Sequence, residues 1–113
     1  MRKDPKIFLT DMLYSIDEIN REVGRMHLND FKNDIKTQDA VIRRLAVIGE
    51  AANNIPKDLK EKHPEIEWRT IVDMRNFLVH EYFEIDMGVI WETIGADLPK
   101  LKTEITKILK ELG

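Results

Sequence analysis

The chain is expected to fold as an all-α, up-and-down bundle of four to five helices, with the last helix kinked near Pro99. Two observations predict this. Apolar residues recur at three- and four-residue steps in every long segment, the repeat of a helix that buries one face. No segment sustains the strict alternation of a half-buried strand. The chain has 113 residues, 42% hydrophobic and 35% charged, which suits a single globular domain spanning 1–113.

The first helix is expected after Asp4, with Pro5 in its first turn, where a missing N–H costs nothing. Leu9, Met12, Leu13, Ile16, Ile19 and Val23 share its apolar face, and Gly24 stops it. Residues 26–36, with Leu28, Phe31 and Ile35, read as a short helix or a packed loop. Thr37 is expected to cap the next helix, with Asp39 in its first turn. The main stripe of that helix is Val41, Leu45, Ile48, Ala52 and Ile55. Ile42, Ala46 and Gly49 widen it, and their small size predicts close approach by another helix. Pro56 ends it.

Residues 56–64 read as a charged connector with one helical turn. A helix is then expected over about 65–82. Asp86 caps the last helix, whose seam of Ile94, Leu98, Leu101, Ile105, Ile108 and Leu112 steps alternately by four and three. Pro99 interrupts it, predicting a kink or two stacked helices, and the unbroken seam favours the kink.

The bulk numbers also exclude function classes. There are no cysteines, so disulfides and thiolate metal sites are ruled out and a cytoplasmic setting is expected. No apolar run reaches the roughly 20 residues that span a bilayer, and the amino terminus does not resemble a signal peptide. No membrane partner is therefore expected. The net charge of −3 argues against a protein that coats nucleic acid through a broad positive field. It leaves room for a local groove with a few well-placed cations.

On an ideal helix over 65–82, Trp68, Ile71, Val72, Leu78 and Val79 form one apolar stripe, and Arg75 falls in its middle. A guanidinium there needs partners. Asp73, Asn76 and His80 share a flank, and Tyr82 lies near the line of the stripe. Each has a structural reading beside a functional one. Arg75 could pair with Glu50, snorkel to the surface, or fix the register of an interface. His80 alone reads as a satisfied helix-end histidine, and Tyr82 as an amphipathic packer. His27 and His63 lack the spacing of a metal site and receive no role. The lysine runs at 57–62 and 100–110 read as solvated faces, whereas Arg43 and Arg44 border the informative helix as possible RNA contacts.

The run Arg75-Asn76-Phe77-Leu78-Val79-His80-Glu81-Tyr82 resembles the signature of HEPN domains of the HepT type: arginine, a polar residue, three more positions, histidine, any residue, tyrosine. Residues 37–44 and 48–52 resemble that family's second helix, and residues 81–86 and 97–99 its last segments. The resemblance covers nearly the whole chain in order. It implies a helical homodimer with two signature helices facing across a cleft, acting as a metal-independent endoribonuclease without a cofactor. It also implies the toxin half of a type VII-like toxin–antitoxin pair, whose partner is a minimal nucleotidyltransferase, MntA-like, that silences the toxin by AMPylation. Carried over, Arg75 and His80 are catalytic, Asn76 supports them, and Tyr82 is the modified residue. The alternative is a non-catalytic subunit that binds nucleotide or presents itself to such a transferase. On an ideal helix Arg75 and His80 point about 140° apart. Either the helix loosens near His80, or the two groups meet across a dimer.

Overall fold

The computed structural model describes residues 4–113, so the expectations for residues 1–3 lie outside it. Among the described residues all regular structure is helical, as the periodicity predicts: α1 (Pro5–Val23), α2 (Leu28–Lys32), α3 (Ile35–Asn53), α4 (Lys57–Lys62), α5 (Trp68–His80), α6 (Met87–Glu92) and α7 (Leu98–Leu112). None of these helices is long and apolar enough to cross a membrane.

Local chemistry sets the boundaries. Asp4 accepts the Lys6 N–H at 2.9 Å to start α1, and Gly24 ends it at φ 50°, a conformation that disfavours a Cβ. The start of α3 differs from the sequence expectation. Its cap is Asp34, not Thr37. The Asp34 carboxylate accepts the Thr37 backbone N–H at 3.0 Å and the Thr37 hydroxyl at 2.8 Å. Thr37 thus lies inside the first turn as the donor, and its backbone N–H first, then its hydroxyl, hold the Asp34 carboxyl below the usual range. Asp86 caps α6 as expected, accepting the Gly88 N–H at 2.8 Å.

The predicted helix over 65–82 is shorter at both ends. Residues 63–67 turn instead, held by Trp68 Nε1–H donating to the His63 carbonyl at 3.0 Å. At the other end Glu81 leaves helical dihedrals, and Tyr82–Glu84 form a 3₁₀ turn. The interruption at Pro99 takes the form of a π turn at Thr93–Asp97, closed by the Leu98 N–H on the Thr93 carbonyl. Pro99 cannot donate to the carbonyl four residues back, and the wider turn lets the helix continue through it.

α3 is the central helix. It packs against α1 on one side and α5 on the other, while α7 lies against α1. The core sits between α1, α3 and α7, where Leu9, Met12, Ile16, Leu45, Ile48 and Ile105 are fully buried. Each such side chain is worth roughly 1.5–3 kcal/mol relative to exposure. α2 closes one end. Its Phe31 is buried and its ring lies 5.2 Å from that of Trp91, while buried Gln38 donates to the Phe31 and Lys32 carbonyls at 2.8 and 3.0 Å.

α5 is the edge of this arrangement. It rests on α3 and on the 3₁₀ turn that follows it. Of its expected stripe, Trp68 and Leu78 are buried, Ile71 and Val72 are half-buried, and Val79 is exposed.

Candidate active site

The site begins with a missing side chain. α5 crosses α3 at Gly49, where an added Cβ would lie 2.1 Å from the Arg75 Cβ and 3.2 Å from the Ile71 carbonyl oxygen. Only glycine lets the two backbones come this close, which bears out the small residues as a mark of close helix approach. The crossing anchors the root of the Arg75 side chain, whose remainder extends along the helix surface.

The guanidinium is held from two sides. One terminal nitrogen pairs with the Glu50 carboxylate, one residue beyond the glycine. The other donates to the Asn76 side-chain oxygen at 2.7 Å. Arg75 therefore does form the Glu50 pair that a structural arginine would make. The link is open to solvent, however: the Arg75 side chain is 30% exposed and that of Glu50 is 52% exposed. The guanidinium is thus held at two nitrogens while part of it stays open to solvent.

His80 closes α5 on the exposed side, and its imidazole has no hydrogen-bond or ion-pair partner among the described residues. The helix stays α-helical through His80 and does not loosen to turn the ring toward Arg75. Within one chain the two groups thus keep their divergence of about 140°.

Tyr82 follows in the 3₁₀ turn. Its hydroxyl donates to Asp39 Oδ1 of α3 at 2.7 Å, and this bond, with the nearby negative charge, raises the phenol above its ordinary value. Asp39 drew notice in the sequence only as an acidic residue near a helix start. The signal that finds it is phase: Asp39, Arg43 and Glu50 fall within about 40° of one another on α3. That face meets Tyr82 at one end and Arg75 at the other, and exposed Arg43 lies between them without an ion pair among the described residues. Arg44 points elsewhere, its guanidinium 5.2 Å from the centre of the Tyr14 ring on α1.

The remaining histidines sit away from this face. His27 starts α2, its backbone N–H donating to Asp30 at 2.9 Å. His63 lies 3.2 Å from Glu65 and 3.5 Å from Glu111. Among the described residues no group of three or more histidine, aspartate or glutamate side chains is disposed to hold a metal ion.

Fold and site together define a class: a helical-bundle protein with an arginine, a free histidine and a tyrosine on one edge helix and the turn that ends it. The family model described as ribonuclease HepT-like matches residues 12–108, and the chain belongs to that family. It is 44% identical over 110 residues to a Thermococcus cleftensis protein named "Probable ribonuclease HepT", covering 97% of this chain and 100% of that one. It is also 45% identical over 112 residues to the Methanocaldococcus jannaschii protein "Gamma-glutamylcyclotransferase and putative RNase MJ0434". That match covers 99% of this chain but 50% of the relative, so the chain spans half the relative's length. A Caldanaerobacter subterraneus protein, "Putative RNase TTE0752", is 36% identical over 109 residues, 96% of this chain and 97% of its own. No solved structure matches the chain.

Proposed function

We propose that this protein is a metal-independent endoribonuclease that cleaves RNA by 2′-OH attack at a site shared between two copies of the chain. The observation that carries the reading is the pairing of a half-open, preoriented Arg75 with an unpartnered His80 on one helix of a HepT-like chain.

The chemistry follows from the residue types. A base removes the 2′-OH proton, and the oxygen attacks the adjacent phosphorus. The 5′ oxygen then leaves with a proton from an acid, giving a cyclic phosphate and a 5′-hydroxyl. Histidine, with an ordinary value near 6.5, serves either proton role. Arg75 stabilises the charge that develops on the phosphorane oxygens, and Asn76 keeps the guanidinium aimed. One chain brings one such histidine. A symmetric homodimer brings two, one as base and one as acid, and lets Arg75 of one copy work with His80 of the other despite their divergence.

Support for the dimer comes from the edge position of α5 and the apolar surface beside the site. Phe77, Val79 and Tyr82 are each about half exposed, and Phe83 is 98% exposed. Arg43, on the same face, would add a phosphate contact, whereas Arg44 is turned toward Tyr14 of α1 and adds none here. In this reading the protein is the cytoplasmic toxin of a toxin–antitoxin pair, silenced when an MntA-like nucleotidyltransferase attaches AMP to Tyr82. The added phosphate would lie toward Arg43, at the end of the face away from Arg75, and its charge would compete with RNA there.

The Arg75–Glu50 pair favours one rival, in which the arginine is structural and the protein a non-catalytic partner of the transferase. Purified protein incubated with RNA, with and without EDTA, separates the two. Cleavage is expected in both, and Arg75→Ala or His80→Ala should lower it by about a hundredfold or more while leaving the fold intact. Intact RNA in every reaction would leave the rival standing.

A further inference from the structure

We propose that the groove between α5 and α7 is a docking site for a cationic amphipathic helix of a partner polypeptide. The groove measures about 720 Å³ and lies over Ile48 of α3. It exists because α5 and α7 both flank the central layer without packing substantially on each other.

Its shape is that of a helix slot. One wall is the α5 ridge carrying Glu67, Thr70, Ile71 and Met74, at the three- and four-residue steps of a single helix face. The facing wall carries Asp97, Leu101 and Glu104 at the same steps. Each wall spans eight residues, a rise of about 10 Å, and so presents about two turns. Ile71, Met74 and Leu101 are only half-buried, with Ile48 and Leu98 beneath them. An apolar floor between two helical walls accepts a helix that lays down residues at i, i+3, i+4 and i+7.

The rim sets the sign of the occupant. Four carboxylates line the groove, Glu65, Glu67, Asp97 and Glu104, against one lining ammonium, Lys100. Lys107 pairs with Glu104 at 3.4 Å from outside, while Glu67 and Asp97 have no such partner among the described residues. The chain as a whole is nearly balanced, with 21 acidic and 18 basic residues, so this excess is local. It repels RNA and attracts lysine or arginine flanking an apolar stripe. On α5, Met74 lies about 120° around the helix from His80, on the other side of Arg75. An occupant can therefore sit here while the RNA-facing flank stays open, and the inference does not depend on the proposed ribonuclease chemistry.

The test uses a dye-labelled synthetic helix of about 14 residues, with leucine at the i, i+3, i+4 and i+7 steps and lysine at the flanks, beside a twin with glutamate flanks. By fluorescence anisotropy with the full chain, the lysine peptide should bind at least about tenfold tighter than its twin and weaken as salt is added. The double variant Glu67→Lys with Glu104→Lys should lower that affinity by about tenfold or more, with its helical circular dichroism unchanged. Phe83→Ser, on the aromatic surface, should bind as the parent does. Equal binding of the two peptides, full binding by the double variant, or loss on Phe83→Ser would each overturn the proposal. So would a change in sedimentation of the double variant showing that a second copy of the chain fills the groove.

Discussion

At Gly49 the missing Cβ fixes where Arg75 stands. Gly49→Ala would force α5 off α3, since its methyl would overlap the Arg75 Cβ at 2.1 Å and press on the Ile71 carbonyl. Overpacking of this kind costs about 1–3 kcal/mol, and denaturant titration should show it. RNA cleavage should fall further than the lost stability explains, by about a hundredfold, because the guanidinium moves with the helix. Unchanged activity in a stable Gly49→Ala variant would mean that Arg75 need not sit where the crossing holds it. Tyr82 and Asp39 make a second residue-scale pair. The phenol holds its proton more tightly in the folded chain than in the unfolded one. Its contribution to stability is therefore fully present below about pH 10 and is lost as pH rises through the raised folded value. In Asp39→Asn, phenolate absorbance should appear at lower pH than in the parent, and Tyr82→Phe should remove that transition altogether. Superimposable titrations of parent and Asp39→Asn would show that the carboxylate has no hold on the phenol.

Among the elements, α2 is the smallest and depends on a neighbour. Five residues do not hold a helix on their own. Gln38 of α3 supplies what α2 lacks, donating to two of its last carbonyls from a buried position. Gln38→Ala should cost about 1–3 kcal/mol, because it takes the amide donor from the Lys32 carbonyl and leaves the Phe31 carbonyl with the Asp34 N–H at 3.3 Å. A urea midpoint that does not move would show that water takes the place of the amide. Elements also show what could be read in advance. Gly24 and Asp86 act through their immediate neighbours, so their effects are legible along the chain, whereas Gly49 acts on Arg75 of α5 and only its small size inside an apolar stripe points to it. The α3 cap falls at Asp34 and not at Thr37 because the Asp34 carboxylate accepts where Thr37 donates, a choice between two capping residue types that the chain order alone does not make. Ile35 added to the confusion, an apolar residue that is 72% exposed. The end of α5 was overrun for a related reason. Residues 81 and 82 continue the pattern, and the bond that draws Tyr82 aside reaches Asp39, 43 positions away. The Arg75–Glu50 pair could be anticipated as one option because both residues stood out, but sequence could not tell an open pair from a sealed one.

On the scale of the whole molecule, the apolar surface and the candidate chemistry occupy the same edge. Val79, Tyr82 and Phe83 are exposed on the last turn of α5 and the turn beyond it, near His80, while exposed Phe77 faces about 160° away from Val79. If two copies meet there, Val79→Asp together with Phe83→Ser should give a folded monomer by sedimentation, with cleavage reduced by about a hundredfold. Full activity from such a monomer would remove the need for a shared site. α5 carries Arg75, Asn76 and His80, and among the described residues α3 is the one helix that packs extensively on it. A helix secured on one side opens at less free energy than the body behind it. In a lone chain the side chains that α5 carries would therefore leave their places well before the molecule melts. Pairing would give the helix its missing buttress, so assembly and competence would rise together and dilution would disarm the protein without any inhibitor.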